Sequence, residues 1–504
     1  MRKYLFLILF ICLNSRAEAQ QQRPNIIVFL VDDMGWMDSS VPFADSITAL
    51  NKRYHTPNME KLALQGMKFT NAYATPVCTP SRVSMITGMN AARHGITNWT
   101  SPIKDKNTDE PDEQMNYADW NYVGLAPVPG VQHSCYATPF PKILKDAGYF
   151  TIHVGKAHWA AAGTAGANPY NMGFMVNVAG HAAGHPQSYL AKDNFGNMPG
   201  KSQMQAVPDL EEYYGTDTFL TEALTIEALK ALDAPIKNKQ PFFLNIAHYA
   251  VHTPITADKR FVQKYYDSGL DSTEAKYASL IEGMDKSLGD IMTYLQQKGI
   301  EKNTVIIFMS DNGGLSEHER GGTPNTNNLP LKSGKGSIYE GGIREPMIVK
   351  WPDVVKPNSV ARQYVIIEDF FPTILQIAGI KNYKTVQNVD GISLLPILKN
   401  ATYADSARTL IWHYPNKWIP HDGPGINYFS AIRQGSWKLI YNMRNGEKEL
   451  YNLKEDVGEK NNLAATNPDK VRQLADILTK KLKEVNAPMP TLKVTGKMVM
   501  WPNQ

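Results

Sequence analysis

Residues 26–33 of this 504-residue chain, Ile-Ile-Val-Phe-Leu-Val-Asp-Asp, form an apolar run of strand length that ends in two carboxylates. Runs of the same kind occur further along the chain, at residues 150–154, 242–246 and 305–309. Amphipathic helical patterns separate these runs. The alternation predicts an α/β fold, with a large mixed, mainly parallel sheet sandwiched by helices.

The chain divides into three expected parts. Residues 1–19 have the charged start, the apolar stretch and the Ala17-Glu18-Ala19 cleavage site of a secretory signal. We therefore expect an exported protein, periplasmic or secreted, because the apolar stretch is too short to span a membrane. Residues 20–400 form the expected catalytic domain, and residues 401–504 form a smaller C-terminal α+β subdomain.

Composition limits the possible partners. The formal net charge of +4 includes two cations of the signal, so the mature chain gives no argument for nucleic acid or a membrane surface as a partner. Outside the signal only two cysteines remain, Cys78 and Cys135. We expect no disulfide framework, because a bond between them would consume the Cys78 thiol, which is a candidate functional group.

The segment Cys78-Thr79-Pro80-Ser81-Arg82 carries the first chemical signal. Its threonine suits the N-cap and its proline the first turn of a short helix, which Gly88 would end. A helix N-terminus favours a bound anion, and Arg82 adds a cation one turn along. A lone cysteine is more often a small buried hydrophobe. The combination instead predicts an anion site beside the thiol.

Two strand ends supply oxygen ligands. Asp32 and Asp33 follow the first strand, and Asp311 and Asn312 follow the run at residues 305–309. Ligands of open parallel sheets bind at the carboxyl ends of strands, so we expect these side chains to meet. Three carboxylates and an amide suit Ca²⁺, which we prefer to Mg²⁺ because Mg²⁺ demands stricter octahedral geometry. Found alone, each pair would indicate only a turn.

Together these motifs resemble the signature of the type I, formylglycine-dependent sulfatases, in particular exported bacterial carbohydrate sulfatases. The Cys-x-Pro-Ser-Arg motif with Thr87-Gly88 behind it carries the resemblance, which spans nearly the whole mature chain. The resemblance implies an alkaline-phosphatase-like fold and a separate maturation enzyme that oxidises Cys78 to formylglycine. It also implies that Cys78, Asp32, Asp33, Asp311 and Asn312 together hold Ca²⁺.

A second match lies just after the run at residues 150–154. Gly155-Lys156-Ala157-His158 fits a Gly-Lys-x-His element of the family, although a lone Lys-x-His is typical of a surface turn. The resemblance implies that Lys156 binds sulfate and that His158 acts on the hydrate of formylglycine. Arg82 is expected to share the sulfate with Lys156.

Two further matches leave an alternative each. His252-Thr253-Pro254 fits a His-x-Pro element whose histidine protonates the leaving oxygen, and His248 is the competing candidate. The Gly-rich loop at residues 331–342 resembles a second family signature, in which Lys335 contacts sulfate and Lys332 is the alternative. The expected reaction is hydrolysis of a sulfate monoester.

The substrate is predicted from less specific features. His181 and His185 lie in a Gly- and Asn-rich segment that we expect to form a loop touching sugar hydroxyls, since Gly184 and Pro186 argue against a metal-binding helix. His413, between two aromatic residues, is expected to close the other side of the cleft. Likeness to bacterial carbohydrate sulfatases suggests an O-sulfated galactose or N-acetylgalactosamine, with sulfate at O4.

Two alternative functions stay open. Phosphonate and phosphodiester hydrolases share the fold and the cysteine motif, and they would act on phosphorus with a softer metal such as Mn²⁺. If Cys78 is never oxidised, the chain would instead be a non-catalytic binder of sulfated glycans.

Overall fold

The structure of the protein is a computed structural model that describes residues 23–315, 320 and 327–504. The expected secretory signal, residues 1–19, lies outside the described residues. The strands are β1 (Asn25–Val31), β2 (Met67–Tyr73), β3 (Met115–Asn116), β4 (Gly124–Ala126), β5 (Ser134–Tyr136), β6 (Phe150–Gly155), β7 (Val176–Val178), β8 (Phe242–Ala247), β9 (Thr304–Ser310), β10 (Arg344–Lys350), β11 (Ser359–Ala361), β12 (Val365–Ile366), β13 (Thr409–Tyr414), β14 (Phe429–Gln434), β15 (Trp437–Asn442), β16 (Lys448–Asn452) and β17 (Thr491–Leu492).

The helices alternate with these strands along the chain. The α-helices are α1 (Pro57–Gln65), α2 (Cys78–Thr87), α3 (Ala91–His94), α4 (Phe140–Asp146), α5 (Leu220–Lys237), α6 (Val262–Asp267), α7 (Ser272–Gln297), α8 (Glu340–Ile343), α9 (Phe370–Ile377), α10 (Leu395–Lys399) and α11 (Pro468–Glu484). Short 3₁₀ segments occupy Ala165–Ala167, Pro169–Met172, Ala191–Gly196, Glu211–Tyr213, Glu301–Asn303 and Ile367–Asp369.

The main sheet confirms the predicted fold class. Its strand order is β11-β2-β10-β9-β1-β8-β6-β7, and β12 also pairs with β2. The central strands β9, β1, β8, β6 and β7 are parallel. β10 runs antiparallel between β9 and β2, which makes the sheet mixed. The four apolar runs are β1, β6, β8 and β9, each within one residue of the predicted bounds.

Burial on both faces explains why the first run is apolar throughout. Ile27 and Phe29 of β1 pack into the core on one face of the sheet, with helices α5 and α7. Ile26 and Val28 pack into the core on the opposite face, with α2, α4 and α9. A strand with helices on both sides has no solvent face to mark with polar residues.

A second, smaller sheet lies near the C-terminus. Strands β13-β14-β15-β16 form an antiparallel sheet in that order. α11 covers one face through Leu474 and Leu478. The other face contributes Trp412 and Ile440 to a core shared with Tyr73 of the main sheet. No helix in the described part of the chain is long and apolar enough to cross a membrane.

The helix behind the cysteine differs from the prediction at its start. Cys78 is the first residue of α2 and Val77, in extended backbone, is its cap, so the prediction of Thr79 as N-cap is wrong. The Thr79 hydroxyl accepts instead from the backbone N–H of Thr100 at 3.1 Å. Gly88 ends the helix as predicted, with φ 71° in the left-handed region.

Candidate active site

Four parallel strands end at the same edge of the main sheet. β1 leads into Asp32, β9 into Asp311, β6 into Lys156, and the loop after β8 carries His252. α2 places Cys78 over this edge, and its thiol lies 3.5 Å from Asp32 Oδ1. Residues that are hundreds of positions apart in the chain therefore share one buried cluster.

The cluster offers a set of ligands for a divalent cation. One atom each of Asp32, Asp33, Asp311 and Cys78 lies within 4.8 Å of the others, and all four residues are buried. Asn312 donates from Nδ2 to Asp33 Oδ1 at 2.7 Å, while its Oδ1 is buried with no hydrogen-bond partner. Carboxylates and an unpaired amide oxygen are ligands of hard cations, so the residues present fit Ca²⁺ or Mg²⁺.

Each carboxylate of the cluster has a different cationic side chain as its nearest partner. The pairs are Lys156 Nζ with Asp32 Oδ2 at 2.6 Å, Lys335 Nζ with Asp33 Oδ2 at 2.8 Å, and Arg82 Nε with Asp311 Oδ2 at 2.7 Å. The three carboxylates and three cations balance, so a dication would leave a net positive charge. An anion such as a sulfate monoester would then offset that charge, which couples anion binding to cation binding.

Burial makes the unmodified thiol a poor nucleophile. It raises the pKa of Cys78 well above the ordinary value of a thiol, although Lys156 and Lys335 act in the opposite direction. Only a thiolate attacks readily, so Cys78 stays unreactive as a thiol near neutral pH. Cys78 and Cys135 are both free thiols.

His158 is held as a neutral imidazole. Burial and the neighbouring Lys156 lower its pKa well below the ordinary value. Its Nε2 lies 3.0 Å from the carbonyl oxygen of Thr100, to which it can only donate, so Nδ1 carries the lone pair. The Thr79 hydroxyl lies 3.4 Å from this Nδ1. A neutral imidazole in this tautomer can accept a proton.

His252 forms the opposite wall of the cluster. Lys335 Nζ lies 3.0 Å from its Nε2, and Asp33 Oδ2 lies 3.4 Å from the same atom. Its Nδ1 lies 3.0 Å from the carbonyl oxygen of Thr253, where it donates. The Lys335 ammonium thus donates to the imidazole, and the two groups hold a proton between them.

The two competing candidates lie elsewhere. His248 Nε2 bonds to Ser287 Oγ at 2.8 Å beneath the sheet edge, and its ring packs against Phe29. Lys332 Nζ lies 3.7 Å from the centre of the Tyr339 ring. Neither side chain contacts the carboxylates that Lys335 and His252 contact.

The three histidines expected to touch substrate are placed differently from one another. The backbone carbonyl oxygen of His181 accepts from the backbone N–H of His158 at 3.0 Å. Burial lowers the pKa of the His181 imidazole to about 4. The ring of His185 stacks on that of His252, with centres 5.6 Å apart. His413 is buried in the second sheet and bonds to Ser430 and to the carbonyl of Pro488. Its strand neighbours Trp412 and Tyr414 face the main domain, so the alternation of β13 points His413 away from the cleft.

Some residues that shape the site gave no usable sequence signal. The Tyr189 hydroxyl lies 2.7 Å from the carbonyl oxygen of Tyr249 and 2.8 Å from that of His252, which fixes the loop after β8. A Cβ at Gly184 would lie 2.6 Å from His158 Cε1, so only glycine lets this loop cover the imidazole. Both contacts join distant parts of the chain and depend on the tertiary structure.

Comparison with known proteins finds two family models that match the chain. One is described as Sulfatase and matches residues 24–380. The other is described as N-sulphoglucosamine sulphohydrolase, C-terminal, and matches residues 334–488. The first match covers more than half of the chain and contains every residue of the cluster.

Individual relatives agree along most of the chain. A sulfatase from Formosa agariphila is 32% identical over 97% of this chain and 94% of its own length. N-acetylgalactosamine-6-sulfatase of Mus musculus is 31% identical over 79% of this chain and 71% of its own length. The solved structure of Ps i-CgsB in complex with k-i-k-neocarrahexaose superimposes with a TM-score of 0.70 and 26% identity, and the match covers 92% of this chain and 93% of that one.

Proposed function

The chain belongs to the sulfatase family and is a sulfuric ester hydrolase, and we propose that it removes sulfate from a glycan through an oxidised Cys78 and a bound Ca²⁺. The observation that carries the proposal is the position of Cys78, whose Sγ lies 3.5 Å from Asp32 and 4.0 Å from Asp33 inside the balanced cluster. The raised pKa of the thiol argues against the unmodified side chain as the nucleophile, so we assign that role to the oxidised form, formylglycine. A separate maturation enzyme would carry out this oxidation.

The sulfate group fits among the cations. Arg82, Lys156 and Lys335 surround the thiol and would neutralise the sulfate oxygens, whose negative charge shields sulfur from attack. Ca²⁺ would be held by Asp32, Asp33, Asp311 and Asn312, and when bound it would polarise sulfate and lower the pKa of the hydroxyl at position 78.

The hydrated aldehyde at position 78 would supply two hydroxyl groups, one to displace the sugar oxygen from sulfur and one to release sulfate. His252, with its proton shared with Lys335, would protonate the departing sugar oxygen. His158, through the lone pair of its Nδ1, would accept the proton of the second hydroxyl. A carboxylate beside the thiol, most simply Asp311, would accept the first proton.

The proposed substrate is a sulfated galactose or N-acetylgalactosamine unit. The mammalian relative is named for N-acetylgalactosamine and the solved relative was crystallised with k-i-k-neocarrahexaose, which supports a glycan substrate. The expected position O4 rests on the resemblance to bacterial carbohydrate sulfatases, whereas the name of the mammalian relative favours O6. An exported location, periplasmic or secreted, suits an enzyme that acts on such glycans.

A panel of singly sulfated sugars tests the proposal. Protein with oxidation of Cys78 confirmed by peptide mass is incubated with galactose, N-acetylgalactosamine and glucosamine derivatives that carry one sulfate at O4 or O6, beside a phosphodiester. We expect sulfate release from one regioisomer, loss of release with a chelator, and recovery with Ca²⁺ rather than Mn²⁺. Phosphodiester cleavage alone would favour the phosphorus hydrolases, and a peptide mass that shows an unmodified thiol at Cys78 in protein from the natural host would favour the glycan binder.

A further inference from the structure

A groove of about 480 Å³ opens beside the general-acid end of the site. It begins at His185, whose ring stacks on His252 with an angle of 17° between the ring planes. Thr253, the residue after His252, also lines the groove, and its hydroxyl lies 3.1 Å from His252 Nδ1. The groove therefore starts where the leaving oxygen would receive its proton, and it leads away from the sulfate-binding cations.

The walls of the groove are polar but neutral. The lining residues are His185, Pro186, Gln187, Ser202, Met204, Gln205, Thr253 and Pro254. Gln205 Oε1 is buried and has no hydrogen-bond partner, which leaves an acceptor ready for a hydroxyl or an amide N–H. The backbone N–H of Gln187 donates to the carbonyl oxygen of Gln205 at 2.8 Å and holds the two walls together. Met204 and the prolines add apolar surface of the kind that packs on the C–H face of a sugar.

No lysine, arginine, aspartate or glutamate lines this groove in the described part of the chain. Burial lowers the pKa of His185, so its imidazole is neutral near pH 7. The nearby cations Lys156 and Lys335 are already paired with the cluster carboxylates. Ser202 and Met204 are exposed, so a second sulfate in the groove would keep part of its water, but it would lose the rest without gaining a counter-charge, which is unfavourable.

We propose that this groove binds the sugar on the leaving-oxygen side and selects an uncharged sugar surface, of hydroxyl and acetamido groups, over one that carries a second sulfate. The inference rests on the proposed function, because it assumes that sulfate lies among the cations and the sugar beyond His252. Gln205 and Gln187 act as specificity residues, since they offer hydrogen bonds to neutral groups and no charge to an anion.

Two substrates that differ by one sulfate test the proposal. The wild-type enzyme is assayed on the monosulfated sugar that the panel shows to be cleaved, and on the same sugar with one additional sulfate. We expect kcat/KM to be about 100-fold lower for the doubly sulfated sugar. Calorimetry with the Cys78→Ala protein, which cannot turn over, is expected to show the same preference in Kd.

Variants of Gln205 separate the groove from general effects on folding. Gln205→Lys supplies the missing counter-charge, so we expect the preference for the monosulfate to shrink by at least about tenfold. Gln205→Met keeps the size of the side chain but removes the acceptor, and we expect KM for the monosulfate to rise about tenfold with kcat little changed. Gln203→Lys is the matched control, because Gln203 is exposed and does not line the groove.

The outcomes distinguish this inference from the proposed function. Equal turnover of both sugars by the wild type, or equal effects of Gln205→Lys and Gln203→Lys, would overturn the groove inference while the sulfatase activity stands. Neither turnover nor binding of any monosulfate would overturn the proposed function and this inference with it. A preference for the monosulfate that only Gln205→Lys relaxes would support both.

Discussion

Lys156→Met tests how the balanced cluster works. Lys156 is fully buried, and its Nζ lies 2.6 Å from Asp32 Oδ2. Methionine keeps the apolar stem but removes the charge that would face a sulfate oxygen. Loss of one such electrostatic contact costs about 3–4 kcal/mol in the transition state, so we expect kcat/KM to fall about 10²–10³-fold.

The same substitution should affect cation binding in the opposite direction. The variant keeps three carboxylates but only two of the three cations, so its site attracts a dication more strongly. We expect a lower Kd for Ca²⁺ than in the wild type. Without Ca²⁺ the buried Asp32 carboxylate loses its nearest partner, and only Arg82 Nη2, at 3.6 Å, remains. The free energy of unfolding should then drop by about 3 kcal/mol, and saturating Ca²⁺ should restore most of it.

Three measurements decide the result: sulfate release, calorimetric titration with Ca²⁺, and urea unfolding in chelator and in Ca²⁺. Lys332→Met is the matched control, since this lysine packs on Tyr339 outside the cluster, and we expect activity within about threefold of the wild type. The reasoning would be refuted by a Lys156→Met enzyme that keeps full activity, or by one that binds Ca²⁺ more weakly than the wild type.

Four further outcomes are expected. Cys78→Ser protein should fold but stop after one turnover, because a single hydroxyl cannot release sulfate, and a peptide mass should show sulfate on the serine; steady turnover would contradict the mechanism. His252→Gln should lower kcat for poor leaving groups about 10²–10⁴-fold. His248 bonds to Ser287 away from the cluster, so His248→Gln should lower the free energy of unfolding more than kcat. The reverse pattern would assign the general acid to His248. Lys438→Met removes the ammonium that lies 2.9 Å from buried Glu340 and 2.8 Å from buried Glu459, and leaves Arg344, at 3.5 Å, as the cation beside Glu340. Urea unfolding should therefore show a loss of about 3 kcal/mol, and an unchanged midpoint would show that the Lys438 ion pairs are not needed. Burial lowers the pKa of His153 to about 3, so the folded protein excludes a proton that the unfolded chain binds below about pH 6.5. The free energy of unfolding should therefore fall by up to about 1.4 kcal/mol per pH unit from that pH downward. His153→Gln should reduce this slope when the urea midpoints at pH 7 and pH 5 are compared.

Much of the fold could be predicted because the decisive signals are local. An apolar run such as residues 26–31 is visible in any short window, and a strand buried on both faces leaves no other pattern. Local reasoning misplaced the start of α2, because Thr79 has the side chain of an N-cap but its hydroxyl accepts a hydrogen bond from the backbone N–H of Thr100. The sequence predicted a mixed sheet but not that β10 is the antiparallel strand, since strand direction depends on where the chain returns.

The choice between paired candidates depended on the three-dimensional structure. Lys332 and Lys335 lie three residues apart in one Gly-rich loop, and composition cannot say which ammonium reaches Asp33. His413 had the aromatic neighbours of a sugar-binding residue, yet the alternation of its strand points it into the C-terminal subdomain. A side chain's direction is set by the sheet in which it lies, and that sheet forms through contacts far apart in sequence.

The sequence by itself determined the α/β class, the strand ends that carry carboxylates and the cysteine motif, because each of these depends on patterns of a few consecutive residues. Only the tertiary structure decided that Lys156, Lys335 and Arg82 each neutralise one carboxylate, that His185 stacks on His252, and that a neutral groove begins there. Charge balance and groove chemistry arise from side chains that meet only after folding. The physical reason is that electrostatic and hydrogen-bond energies depend on distances of a few ångströms, which the order of residues does not specify.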